Sequence, residues 1–455
     1  MKKFIIPLLA IVVVASLVVV SCRPEPPEIP PYPEEMPCGI IVDLSGPNAE
    51  MGKRLSTGAE VAVTQMNDWG GIRNMLSMDL RLIVADDGGS PVQAAAEAER
   101  LITDEEVIYL IGAWPTAEAI SEVAEQYEVP FICVLDFEPI TELGREYTFR
   151  TTPSAEGAAG QIVSVMTQSA EEAGLPPPES CFLMYVPDDQ GTTVAEIFKV
   201  EAEAAGIEIV GEEIIDVTAT SFAPQLAAVE AAAPDLLFTC NYTDDAIVLY
   251  REMMERQTYL PYGVYSWGWG LEDPAFYEAL PPEAYEYSFV HESADPVPQE
   301  RNYYYWINGA VEAQIGETWN DPAIAASYHA VWLLKEGLER MTPVRRVSRP
   351  GVHEGMEFSL DLDKFRSNLQ YALSKLGITR ADVAKVQLPD GSPILPSLEV
   401  LRFDRVEFDE KGQMIYDIGM ISQNIDGTRW PMFPIAQRVK GSPSFVLPIP
   451  PWSER

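Results

Sequence analysis

The chain has 455 residues and sets 31 Lys and Arg against 70 Asp and Glu, a net charge of −39 at neutral pH. Such acidity excludes a nucleic-acid partner, whose phosphates it would repel, and favours solubility without dictating a fold. The length exceeds one ordinary core, so two lobes are expected. Besides Cys22, the cysteines Cys38, Cys133, Cys181 and Cys240 stand singly in apolar, strand-like runs with no metal-ligand spacing. Buried free thiols are therefore expected rather than a disulfide framework, although spacing does not decide whether any pair is bridged. His291, His329 and His353 form no pairing motif, so neither a metal site nor a cofactor is expected.

In chain order, Lys2 and Lys3 precede an apolar run from Phe4 to Val20 and then Ser21-Cys22. A basic start, an apolar core and a small residue before the cut describe a secretory signal, here residues 1–21. Val19-Val20-Ser21-Cys22 resembles a bacterial lipobox, which would leave Cys22 as a lipidated N-terminus; a plain membrane anchor is the alternative. Residues 22–37 are too proline-rich for helix or sheet and predict a stiff, extended tether.

Cys38 to Asn67 is the stretch around which the rest of the chain is organised. An apolar run from Ile40 to Leu44 ends in the turn Ser45-Gly46-Pro47-Asn48, and Leu55, Ala59, Val63 and Met66 then recur at helical spacing. Strand, tight polar turn and helix open a doubly wound α/β domain, where ligands collect at the carboxyl ends of strands. Ser45 sits at such an end; read alone, the stretch is equally an ordinary turn. Further strands are predicted at Leu80–Ala85, Val107–Ile111 and Pro130–Leu135, alternating with helices from Pro91 and up to Tyr127. Tyr147 to Pro153 reads as a strand passing between lobes.

The alternation restarts with strands at Cys181–Val186, Ile207–Ile215, Asp235–Cys240 and Tyr262–Ser266. Helices are predicted up to Ala205, over Phe222–Ala232 and over Asp244–Gln257. Tyr285–Glu292 reads as a second crossing, with helices after it over Val297–Glu317 and Pro322–Met341. Residues 342–398 are the least legible, with one clear helix at Lys364–Leu376. A third crossing begins at Leu401, and closing strands are expected between Val406 and Ile421. The expected division is 38–150 with 291–400 as lobe 1 and 151–290 with 401–455 as lobe 2, a hinged clamp.

Several stretches together carry a resemblance: Asp43-Leu44-Ser45-Gly46-Pro47, Gly58 to Val63, Val84-Ala85-Asp86-Asp87, Phe149 to Ser154, Tyr242 to Ala246 and Phe408 to Gly412. With them, Cys38 to about Pro434 resembles the type I periplasmic binding proteins of the Leu/Ile/Val-binding class, solute receptors of branched-chain amino-acid ABC importers. The resemblance implies two doubly wound parallel-sheet α/β lobes joined by three crossings, closing on a solute as a Venus-flytrap. Together with the lipobox at Val19–Cys22, it points to an extracytoplasmic, lipid-anchored protein that hands a small molecule to ABC permease and ATPase subunits. The membrane is met through the N-terminal lipid only, and a monomer is expected.

The family grips an amino acid's carboxylate with hydroxyls and backbone N–H groups of the first lobe. The resemblance puts Ser45 and Thr116 in that role, although Pro115 replaces the first of the family's usual serine pair. Tyr242 matches an aromatic that covers the ligand, while Trp267-Gly268-Trp269-Gly270 stands where an acid often meets the substrate ammonium. Trp114, Asp136 and Phe137 in the first lobe and Gln190, Trp267 and Trp269 in the second complete the candidate ligand-binding set. Aromatics at one topological edge favour flat apolar or aromatic solutes, with amides and amino acids also open. A ligand sensor for a membrane signalling partner is the alternative. An enzyme is disfavoured, because the carboxylate pairs Asp86-Asp87, Asp188-Asp189 and Asp244-Asp245 come with no nucleophile–base set.

Overall fold

The computed structural model describes residues 35–72, 75, 77–135, 140–152, 155–267, 269–292, 309, 311–314, 316, 322–341, 346–347, 355–356, 362–379, 405–414, 420–433 and 443–454. The leader and most of the tether, with Cys22, lie outside these residues, as do Asp136, Phe137 and most of the helix expected over 297–317. Among the described residues no helix is long and apolar enough to cross a membrane.

Two parallel sheets organise the chain. The first has the order β2-β1-β3-β4-β5, with β1 Glu35–Val42, β2 Asp79–Asp86, β3 Leu110–Ala113, β4 Phe131–Val134 and β5 Thr148–Arg150. All its pairings are parallel, and β3 and β4 are buried at every position. Such strands face helices on both sides and so read as continuous apolar runs. The crossover helices are α1 (Ala49–Asp68), α2 (Pro91–Thr103) and α3 (Ala117–Gln126). The inner faces of α2 and α3 close a core that includes Ile41, Ala94, Leu101, Leu110, Ile120 and Phe131.

β1 begins at Glu35, so it includes Pro37, which the sequence places in the tether. Pro37 has no N–H to give, yet β1 pairs with β3 only over Gly39–Ile41. The proline therefore sits where one side of the strand is still unladdered, and its carbonyl accepts from Ile108 N at 3.0 Å.

The second sheet runs β16-β15-β10-β9-β8-β6-β7. Its parallel part is β6 Ser180–Tyr185, β7 Glu208–Ile214, β8 Leu236–Cys240, β9 Val264–Trp267 and β10 Phe289–Glu292. The hairpin β15 Met420–Ile425 and β16 Thr428–Phe433 joins antiparallel to β10. The boundary expected between residues 290 and 291 falls inside β10, all of which belongs to this sheet. Helices α4 (Ala155–Glu172) and α5 (Asp189–Ala204) cover one face, where Phe198 stacks on Phe238 at 3.9 Å between centroids. Helices α6 (Ala223–Ala232), α7 (Thr243–Arg256) and α8 (Pro274–Ala279) cover the other. Cys38, Cys133, Cys181 and Cys240 are buried thiols outside any disulfide, and burial pushes the Cys38 thiol up to about 12.

Chain from beyond the second sheet returns to the first lobe. In helix α9 (Pro322–Arg340) the Tyr328 hydroxyl donates to Gln65 Oε1 at 2.7 Å, and Trp332 packs on Trp69 at 5.7 Å. In helix α10 (Leu362–Ser374) the buried Arg366 donates to the carbonyls of Val107 and Ile102, at 2.7 and 3.2 Å from Nη2. The short pairs β11 (Arg346–Val347) with β12 (Gly355–Met356), and β13 (Gly377–Thr379) with β14 (Arg405–Glu407), are antiparallel.

Two of the passages between sheets are stitched together. Arg150, 3% exposed, donates from Nε to Gln413 Oε1 at 2.5 Å. Gln413 Nε2 in turn donates to the carbonyls of Thr152 and Met414 at 2.9 and 3.1 Å. The backbones join as well, Arg150 N to Gly412 O at 2.8 Å and Met414 N to Arg150 O at 3.0 Å. Gly412 lies at φ +80°, and a Cβ there would sit 2.1 Å from Thr148 O, so only glycine allows this approach.

Candidate functional site

The carboxyl ends of β1, β2 and β3 bring three loops together. Asp43 closes the first, accepting from Gly46 N at 2.5 Å and Asn48 N at 2.8 Å. A Cβ on Gly46 would stand 2.4 Å from Gly88 O and 2.7 Å from both Asp43 carboxylate oxygens, so this turn needs glycine to pack against the β2 loop. Asp86 ties the same loops from the other side, accepting from Leu44 N at 2.8 Å and Gly88 N at 2.9 Å. The Leu44 N–H, then the Ser45 hydroxyl, hold its carboxyl below the usual range.

Asp87 links to the third loop. It accepts from Gly89 N at 2.8 Å and from Thr116 Oγ1 at 2.6 Å. Burial pushes its carboxyl up, with the charges of Asp43 and Asp86 acting in the same direction. Ligand atoms of Asp43, Asp86 and Asp87 lie within 4.8 Å of one another, a spacing that a hard cation would accept. Their oxygens, however, already receive the N–H and O–H groups of the loops they bind, which makes the trio a clasp between loops.

The expected hydroxyls are therefore brought together on neighbouring carboxylates. Ser45 is exposed and donates to Asp86, while Thr116 is 2% exposed and donates to Asp87. Each hydroxyl oxygen keeps lone pairs for accepting from a ligand. Trp114 is half-buried at the same edge, in a cis peptide with Pro115.

Across the second sheet, the carboxyl ends of β6 and β8 meet. Asp188 caps α5 by accepting from Gly191 N at 2.7 Å, and its other oxygen accepts the Tyr242 hydroxyl at 2.5 Å. Burial, and after it that bond to Asp188, pushes the Tyr242 hydroxyl well up, so it stays a donor. Tyr242 N donates to Asp245 at 3.1 and 3.2 Å, and burial raises the Asp245 carboxyl to about 6. Asp188, Asp244 and Asp245, paired carboxylates of the sequence, thus serve helix starts. Gln190 is the second residue of α5, and Trp269 opens the short 3-10 turn Trp269–Leu271.

Trp267 departs from its expected place in a loop. It is the last residue of β9, 1% exposed, and belongs to the core between the sheet and α4 and α5. Its ring lies 5.7 Å from that of His291 on β10, a residue that sequence reasoning passed over. The one available signal was a lone histidine directly after the apolar pair Phe289-Val290 of the crossing segment.

A family model described as periplasmic binding protein matches residues 35–388. The chain is 26% identical over 232 residues to a Leu/Ile/Val-binding protein homolog of Brucella abortus; the match covers 50% of this chain and 57% of that relative. It thus spans less than two thirds of that relative's length. A branched-chain amino-acid transporter substrate-binding protein of Streptococcus pneumoniae, solved with isoleucine, superposes with a TM-score of 0.63 at 16% identity, covering 87% of this chain and 97% of the other. An ABC-transporter solute-binding protein of R. palustris, solved with benzoate, gives 0.62 at 17% identity, covering 88% and 95%. With the family match running through both sheets, the chain belongs to the periplasmic binding proteins.

Proposed function

We propose that this protein is an extracytoplasmic solute-binding protein of the branched-chain amino-acid ABC-transporter type, anchored by lipid on Cys22, which captures a small solute and passes it to a permease. The observation that carries this reading is the family match over residues 35–388, across two parallel sheets whose carboxyl ends bear Ser45 and Thr116 on one and Tyr242 on the other. Solutes bind such sheets outside the carboxyl ends of their strands. A clamp is shifted toward closure only by a ligand that touches both lobes, so groups on both sheets are needed. We assign residues 38–150 with 293–400 to one lobe and 151–292 with 401–455 to the other, so that β10 falls wholly in the second.

The solute class is set by the chemistry on offer. The Ser45 and Thr116 hydroxyls give their protons to Asp86 and Asp87 and so can only accept, which suits an N–H or O–H of the solute, while helix N-termini suit a carboxylate or carbonyl. Trp267-Gly268-Trp269-Gly270 carries no acid for an ammonium, and an unpaired ammonium in a closed site costs several kcal/mol, on the order of 2–7 even for a neutral polar group. Aromatic or amide-like solutes are expected to bind more tightly than leucine or valine.

A thermal-unfolding screen with leucine, isoleucine, valine, benzoate, benzamide and betaine tests this. A ligand at a hundred times its Kd adds about 2.7 kcal/mol of stability, enough for a clear shift. Benzoate or benzamide should give the largest. A largest shift from leucine, isoleucine or valine, unaltered in Trp269→Ala, would defeat the aromatic preference.

A further inference from the structure

His291 is 1% exposed, and among the described residues neither Nδ1 nor Nε2 has a hydrogen-bond partner. Leaving one buried donor or acceptor unsatisfied costs about 1–3 kcal/mol, so a histidine with both nitrogens unmet demands an explanation. Its position supplies one. β10 runs parallel to β9, with Val290 opposite Ser266, which sets His291 level with Trp267 at the carboxyl end of the sheet. That is the edge at which α/β sheets receive ligands.

The side chain is on the face that holds Trp267 and Phe289, and its ring packs on the Trp267 indole at 5.7 Å. The indole fixes the ring plane but leaves its nitrogens unmet. The antiparallel neighbour Ile421 is apolar and cannot satisfy them. Burial lowers the imidazole to about 4, so at neutral pH the ring is uncharged, with one nitrogen donating and the other accepting.

We propose that His291 contacts the bound solute from the second lobe, its neutral imidazole hydrogen-bonding a carbonyl, amide or hydroxyl of that solute. This rests on the solute-binding reading and names a specificity residue for it. A neutral ring turns either its donor or its acceptor nitrogen to the solute, so an amide can answer with its carbonyl or its N–H, whereas a carboxylate can answer only the donor. It offers an ammonium no countercharge. The site therefore ranks an amide above an acid of the same shape, and both above a cation.

The test compares wild type, His291→Gln and His291→Phe, each titrated calorimetrically with benzamide, benzoate, isoleucine and betaine. Glutamine keeps a donor and an acceptor; phenylalanine keeps the ring packing on Trp267 and removes both. For the tightest probe of the wild type, His291→Phe should weaken binding by about tenfold or more, the worth of one buried hydrogen bond. His291→Gln should stay within about threefold of the wild type. Unliganded His291→Phe should melt no lower than wild type, because no unmet nitrogen remains buried.

A wild type that binds a probe and a His291→Phe that binds it equally well would overturn this proposal and leave the solute-binding reading standing. Equal weakening by both variants, together with lower melting of each, would also overturn it, by showing a packing role. A wild type that binds none of the probes would overturn the reading and the proposal with it.

Discussion

Asp245 offers a stability test whose sign is fixed by its burial. The residue is 2% exposed in the first turn of α7, and its carboxyl is pushed from an ordinary 3.8 to about 6, by burial first. Two backbone N–H groups, its own and that of Tyr242, pull the other way without offsetting the burial. Each pKa unit is worth about 1.4 kcal/mol, so above pH 6 the folded protein bears a burden of about 3 kcal/mol for ionising this group. Well below pH 4 the carboxyl is protonated in folded and unfolded chains alike, and the burden vanishes. Between these limits the unfolded chain releases its proton first, so this contribution to stability falls as pH rises. At pH 5 the burden is roughly half its full value.

Asp245→Asn removes the charge and keeps an oxygen to accept from Tyr242 N. Urea unfolding, read by tryptophan fluorescence at pH 5 and pH 8, measures the difference. Any packing cost of the substitution is common to both pH values and cancels between them. The variant should gain about 1–2 kcal/mol at pH 8 relative to its standing at pH 5. An equal effect at the two pH values, or a relative loss at pH 8, would refute the assignment of a burdened carboxylate.

Gln413→Ala should destabilise the protein by about 1.5–3 kcal/mol in urea unfolding, because it strips an amide acceptor from the charged, buried Arg150 guanidinium and frees two carbonyls; an unmoved midpoint would dismiss the stitch as a surface contact. Thr116→Val should cost about 1–3 kcal/mol by thermal unfolding, and Thr116→Ser much less, since serine retains the bond to Asp87. Matching losses in the two would refute the role of that hydroxyl. Cys22→Ser should abolish fatty-acid labelling in a lipoprotein-processing host, and labelling that persists would refute the anchor.

The alternation of strands and helices was legible because parallel strands buried on both faces are plain apolar runs. Their ends were less so. Val107 to Tyr109 read as strand, yet β3 starts at Leu110, and Val107 instead gives its carbonyl to Arg366, a residue 259 positions away. Trp267 read as loop because it precedes a glycine, but the pairing of Cys240 with Trp267 carries β9 one residue further and draws the indole into the core. The places of Ser45, Thr116 and Tyr242 after strands were legible in the sequence. Their partners were not: Thr116 meets Asp87 across 29 residues and Tyr242 meets Asp188 across 54, distances that no local pattern encodes. His291 was hidden for the opposite reason, since a buried histidine with no partner leaves no motif.

The joined passages at Arg150 and Gln413 have a mechanical consequence. Two separate strands between bodies would let each slide along its own axis. A pair locked by main-chain bonds on both sides of Arg150, with a guanidinium sealed against the Gln413 amide, behaves as one ribbon. A ribbon resists sliding and twisting of its edges far more than bending across its width. Motion of the two sheets is thereby channelled into one direction, and Gly412, pressed against Thr148 O, is the point at which its two edges are held in register.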